Sequence, residues 1–447
     1  MLSMLHSRSI RLASLLVLSA AILSSCQKDL DTTSMEMDQI RVRGANGGSI
    51  SNLATLGRSI FFDARLSSNG TQACASCHMP SAGFSGLGDG GIFVQGIGMG
   101  AVQGAFGGRK PPSAAYATFA PIMTLATPPA DPADPAPPVP EFTGGLFWDG
   151  RATGLRLGNP AAEQALGPFL AGAEHNLPGK DAVLALIRTS QYYNQWLAAF
   201  NNVGIDLSSQ AAIDANYDKV GRAIAAYEAT KDVNRFSSKF DAYMKGQTKL
   251  TEQEANGLAL FNNQAECYDC HESVSADAGV TPALFTDFSY HNLGLPKNTA
   301  TPNKSLIGAD VQDRGLGGEL EQMVNGVPKY PAEWRALAQA QYGKFKTPTL
   351  RNLTLGGNRR YMHNGIFNSL EAVVHFYNTR DVPGAGWTFD GVFKTWAELG
   401  KEVPLNLEIH GAGNLGLTPA QEAELVAFMK TLNDGWSATQ GTVTTTL

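Results

Sequence analysis

The stretch TQACASCHMP, residues 71–80, sets two cysteines three apart and a histidine directly after the second, and QAECYDCHES at 264–273 repeats the pattern almost two hundred residues later. The chain has five cysteines, and apart from Cys26 all of them, Cys74, Cys77, Cys267 and Cys270, fall into these two CxxCH motifs. Such cysteines can pair as disulfides in an exported protein, act as a redox dithiol, or form half of a zinc site. None of these explains a histidine in the same place twice. Covalent c-type haem explains all three residues, because two thiols add to the haem vinyls and the adjacent imidazole reaches the iron. The expectation is therefore two covalently bound haem c groups, with His78 and His271 as axial ligands.

Working outward, 447 residues with 43% hydrophobic and 17% charged content are enough for two or three packed domains and too apolar for a disordered chain. The formal net charge is −6 and no Lys/Arg run stands out, so nucleic acid is not an expected partner. The N-terminal HSRSIRLASLLVLSAAILSSC carries Arg8 and Arg11, then an apolar run too short to span a bilayer comfortably, then small residues before Cys26. LSSC resembles the lipobox of bacterial lipoproteins, which implies cleavage before Cys26 and lipid on it. Residues 1–26 then read as a leader ending at the lipidated cysteine and 27–45 as a polar tether. The expected location is the cell envelope, periplasm-facing or on the outer membrane, held by lipid alone.

The body of the chain reads as mainly α. SNLATLGRSIFF forms a helix leading to the first motif, and the glycine-dense segment 83–114 that follows is expected to be neither helix nor strand. PPADPADPAPPVPE (128–141) ends a Pro-rich insertion, 121–141, expected at the surface in extended conformation. Apolar residues recur at three and four in DAVLALIRTSQYYNQWLAAF and YDKVGRAIAAYEATKDV. Thr251 followed by Glu254 has capping-box spacing, and Thr418 with Pro419 marks another helix start; SLEAVVHFYN is a further helix. Ligand supply is uneven, for no histidine lies between His78 and His175. The first haem is expected to keep one face open unless Met99 or Lys110 closes it.

Five ordered blocks, LGRSIFFDARLSSNGTQACASCHMPSAGFS, FWDGRATG, EQALGPF, FKTPTLRN and YMHNGIFNSLEAVVHFYN, resemble the bacterial dihaem cytochrome c peroxidases and their MauG-like relatives. The resemblance implies two cytochrome c-like haem domains with long irregular loops: 46–247, with peroxide chemistry, and 248–435, with electron transfer, before a tail at 436–447. It places Glu174 as distal general acid/base, Gln164 as a second distal polar residue and Trp148 between the haems. The second haem's distal ligand falls fourteen residues past His363, at Tyr377, where peroxidases carry methionine and MauG-like members tyrosine. Met362 is the alternative ligand, with Tyr377 then a core aromatic beside Leu370, Val373 and Val374. A thioether favours Fe(II), whereas a phenolate stabilises the oxidised metal, so that the pair can store oxidising equivalents.

Two functions follow from the resemblance. One is reduction of hydrogen peroxide with electrons from a small cytochrome c or similar donor. The other is a MauG-like oxidase that uses high-valent haems to modify tryptophan or tyrosine residues of a partner protein. Family peroxidases are often homodimers and hold calcium between the haems. Here RKPP puts Lys110 where the calcium-binding asparagine would stand and NRRYMH replaces TxPYxH, so calcium is a doubtful expectation: an ammonium repels the ion or replaces its charge.

Overall fold

The computed structural model describes residues 51–127, 140–274, 282–300, 302, 312–357 and 359–438. The leader with Cys26, the tether, most of the Pro-rich insertion and the end of the tail lie outside them. Among the described residues the chain is mainly helical, and its strands form five two-stranded antiparallel pairings. No helix among them is long and apolar enough to cross a membrane.

The helix starts follow their capping residues. Ser51 accepts from the Ala54 amide to open Asn52–Phe61. Thr251 and Glu254 form the reciprocal box that opens Glu252–Phe261, and Thr418 with Gln421 does the same for Pro419–Lys430. The periodic stretch 181–200 divides into Lys180–Arg188 and Tyr193–Ala199. Thr189 Oγ1 turns back onto the carbonyls of Ala185 and Leu186, and this competition with the backbone ends the first helix.

Two helix crossings build the two larger of the apolar cores among the described residues. Asn52–Phe61 packs on Gln210–Glu228, and Glu252–Phe261 packs on Pro419–Lys430. At each contact the first helix presents a glycine: a Cβ added to Gly57 would collide with the Ala223 carbonyl, and one added to Gly257 with the Glu424 carbonyl. Four residues on, Phe61 and Phe261 are both fully buried. One apolar cluster runs from Leu56 to Val233, a second from Phe240 to Leu432. The first helix of each crossing is followed in sequence by a CxxCH turn, so the same construction occurs twice.

Two details depart from the sequence reading. The glycine-dense segment does contain strand, because Phe93–Val94 pairs with Ile97–Gly98. The two residues between have φ of 55° at Gln95 and 77° at Gly96, the left-handed pair that a two-residue hairpin loop requires. The insertion 121–141, in turn, begins and ends in a paired stem, Thr124–Ala126 with Glu141–Thr143. That stem delivers the chain directly to Trp148.

Candidate active site

Each CxxCH segment closes one tight turn that aims its histidine. The first is the short helix Cys74–Cys77, with the His78 amide donating to the Cys74 carbonyl at 2.8 Å; the second is the 3₁₀ turn Cys267–Asp269, with the His271 amide on Cys267 at 2.9 Å. His78 Nδ1 lies 3.3 Å from the Phe84 carbonyl and His271 Nδ1 lies 2.8 Å from that of Phe285. A carbonyl can only accept, so each Nδ1 carries the proton and each Nε2 keeps its lone pair for a metal. Burial pushes the His78 pKa down to about 4 and that of His271 below its usual value, which keeps both rings neutral.

Cys74, Cys77 and His78 open onto a cavity of about 590 Å³, within the range of sites that enclose a ligand. Gln164 and Glu174 face it, as do Arg151, Met99 and Lys110. Gln164 comes from the helix Pro160–Leu170, capped by Asn159. Glu174 sits on the turn after it. Its amide donates to the Ala171 carbonyl at 2.9 Å and its carbonyl accepts from Ala101 at 2.7 Å. Gly100 makes this possible, since a Cβ there would strike the Ala173 carbonyl. The glycine-dense segment is thus the clamp that holds Glu174. Burial raises the Glu174 pKa and the Arg151 charge tempers the rise. The Lys110 amine is engaged by Ser85 Oγ at 3.1 Å and the Pro111 carbonyl at 3.3 Å.

Cys267, Cys270 and His271 open onto a second cavity, lined also by Tyr377, Met362, Val373 and His363. Tyr377 lies on the helix Leu370–Thr379. Burial raises its phenol pKa, and the nearby Cys270 and Cys267 add to the rise. Trp148 borders both cavities. Its indole donates to the Lys110 carbonyl at 2.7 Å, and its own carbonyl accepts from the Lys346 amide at 2.8 Å. His363 continues the contact, edge-on to Trp148 at 6.3 Å, stacked on Phe345 at 3.5 Å, and tied to Glu402 at 2.9 Å.

The residues fit haem at both places. All four described cysteines are free thiols. Three buried side-chain polar atoms among the described residues lack any hydrogen-bond partner, and two of them, Thr347 Oγ1 and Arg359 Nε, belong to residues lining the second cavity. Orphaned donors of this kind suit the acidic groups of a porphyrin. The single grouping of metal-binding side chains among the described residues is Cys270, Asp287 and His291. There His291 is held between Glu408, at 3.0 Å, and Asp287, at 3.4 Å, while Cys270 belongs to the haem motif.

Sequence reasoning missed three groups around these cavities. Glu228, 4% exposed, lines the first cavity, and burial pushes its pKa up to about 8. Its signal was present: Val220, Ile224 and Glu228 share one stripe of the Gln210–Glu228 helix, so a carboxylate was placed on the apolar face. Lys346, beside Trp148, is held down to about 7 by burial, its amine on the Phe288 carbonyl at 2.9 Å. Arg359 spans carbonyls of Gly86 and Leu355. Nothing in its local sequence separates it from Arg360, which pairs with Asp89 at 3.1 Å.

The family model described as di-haem cytochrome c peroxidase matches residues 51–249. The methylamine utilization protein MauG of Paracoccus denitrificans is 33% identical over 386 residues, 86% of this chain and 88% of that protein. Cytochrome-c peroxidase IdrP1 of Denitromonas iodatirespirans is 27% identical over 440 residues, 96% of this chain and 94% of that one. Among solved structures, the diheme peroxidase BthA of Burkholderia thailandensis is similar with a TM-score of 0.68 and 29% identity, covering 86% of each chain. These likenesses fit cytochrome c-like domains and two c-type haems. With two CxxCH turns opening onto two cavities that share Trp148, the chain belongs to the dihaem cytochrome c peroxidase and MauG family of oxidoreductases.

Proposed function

We propose that this protein reduces hydrogen peroxide to water with electrons from a small redox protein, peroxide reacting in the first cavity and electrons entering through the second. One observation carries the reading: Glu174 and Gln164 face the cavity of His78 with no side-chain hydrogen bond to another described residue, whereas the cavity of His271 presents Tyr377. The haems, when bound, supply the redox-active iron. Glu174 takes a proton from one peroxide oxygen and returns it to the other, so that O–O cleavage releases water rather than hydroxide. Gln164 donates its amide N–H to orient the peroxide. Each peroxide consumes two electrons and two protons and yields two waters. Trp148 is the proposed route between cavities, and residues 46–247 and 248–435 are the proposed domains. Glu174→Gln should lower peroxide turnover by roughly 10² to 10⁴ while leaving the ferric spectrum intact; unchanged turnover refutes the assignment.

A second reading, a MauG-like oxidase acting on tryptophan or tyrosine of a partner protein, draws support from Tyr377 in the second cavity. It predicts a new crosslink in the partner under peroxide, detectable by mass spectrometry. For the location we propose lipid on Cys26 and a place in the cell envelope, which the mass of the mature protein tests.

A further inference from the structure

Tyr116 has no part in the chemistry above, yet its surroundings are those of a redox site. It is 2% exposed and lines a small space shared with His78, Trp148, Gln164 and Glu228. Its hydroxyl donates to Asp434 Oδ2 at 2.6 Å and accepts from the Phe236 amide at 3.1 Å. Asp434 comes from the far end of the chain and also accepts from Asn352 Nδ2 at 2.9 Å and from the Ser237 amide at 2.9 Å. The Arg351 guanidinium stands 5.0 Å from the ring centroid, locked to Asp241 by two bonds at 2.8 and 2.9 Å. The backbone is held at φ 64°, a conformation a bulky residue adopts only where its surroundings impose it.

We propose that Tyr116 is a proton-coupled redox station that gives up one electron to the peroxide-oxidised centre of the first cavity. The proposal rests on the peroxidase reading and goes beyond it. A fixed guanidinium over the ring opposes a positively charged ring. Electron loss alone is therefore disfavoured, and the proton must leave with the electron. The Tyr116 O–H bond breaks, a new O–H bond forms on Asp434 Oδ2, and a neutral phenoxyl remains, stabilised by the Phe236 N–H. The electron is one of the two that peroxide requires, and the external donor later restores it. Buried tyrosines elsewhere lack one element of this set. Tyr217 and Tyr290 donate to the carbonyls of Leu166 and Gly144, which cannot take a proton. Tyr192 and Tyr330 meet carboxylates of Asp63 and Glu319, but neither lines a space shared with His78 and Trp148.

The test uses the haem-loaded protein without donor. One equivalent of hydrogen peroxide is added, the sample is freeze-quenched, and EPR is recorded on protein with ordinary and with ring-deuterated tyrosine. A radical signal that narrows with the label and is lost in Tyr116→Phe supports the proposal. Should Tyr116→Phe fail to load haem, Asp434→Asn takes its place, because it removes the proton acceptor of Tyr116: loss of the labelled radical signal supports the proposal and its persistence overturns it. A radical that persists in Tyr116→Phe, or haem signals that respond while no tyrosyl radical forms, overturns it. Ferric signals that respond to peroxide only after one electron is supplied overturn this proposal alone, and signals untouched even then overturn the peroxidase reading with it.

Discussion

Gly57→Ala is a sharp test of the fold, because two effects of known size oppose each other. In a helix interior alanine is favoured over glycine by about 0.8–1.0 kcal/mol. Here the added methyl would meet the Ala223 carbonyl oxygen and carbon in the facing helix, and a backbone group cannot turn aside as a side-chain tip can. Overpacking a well-filled contact costs about 1–3 kcal/mol, and a collision with backbone belongs at the upper end. The expected net loss is about 1–2 kcal/mol, roughly a 5- to 30-fold fall in the folded-to-unfolded ratio. Urea titration of the haem-loaded protein, followed by far-UV circular dichroism and Soret absorbance, reads it as a lower midpoint. Thr55→Ala on the exposed face of the same helix removes no crossing contact and should gain a few tenths of a kcal/mol. A higher midpoint for both variants would refute the close helix approach.

Three other outcomes are expected. Gly257→Ala should repeat the loss in the second half of the chain, through the Glu424 carbonyl. Glu228, raised by burial from 4.5 to about 8, is more protonated in the folded than in the unfolded chain. Its contribution is fully present below pH 4.5 and lost as pH rises to about 8, so Glu228→Gln should gain on the wild type by up to about 1.4 kcal/mol per pH unit in that window, read as urea midpoints at pH 5 and 7.5. Arg351→Met strands Asp241 as a buried unpaired charge and should cost about 3–5 kcal/mol, whereas adding Asp241→Leu should restore part of the loss in the same titration.

The sequence made the haem turns legible because CxxCH is local: cysteines, histidine and backbone turn lie within five residues. Capped helices were legible for the same reason, as Thr251 with Glu254 and Thr418 with Pro419 bear out. The crossings were legible only in hindsight, as G-x-x-x-F at Gly57–Phe61 and again at Gly257–Phe261, because a glycine marks close approach only once its partner helix is known. Non-local partners were silent. Asp434 beneath Tyr116, Glu402 on His363 and Glu408 on His291 stand 318, 39 and 117 residues from their partners. The hairpin in the glycine-dense segment was missed because glycine lowers strand propensity while supplying the positive φ that a two-residue loop needs.

The most direct measurement adds one equivalent of hydrogen peroxide to the diferric protein and follows both haems by optical and EPR spectroscopy, with Tyr377→Met alongside. The account predicts rapid loss of both ferric signals in the wild type without prior reduction, and not in the variant. If neither signal changes until one electron is supplied, a protein ligand closes the first cavity and Tyr377 is packing, which contradicts the open first site and leaves a peroxidase that is activated by reduction.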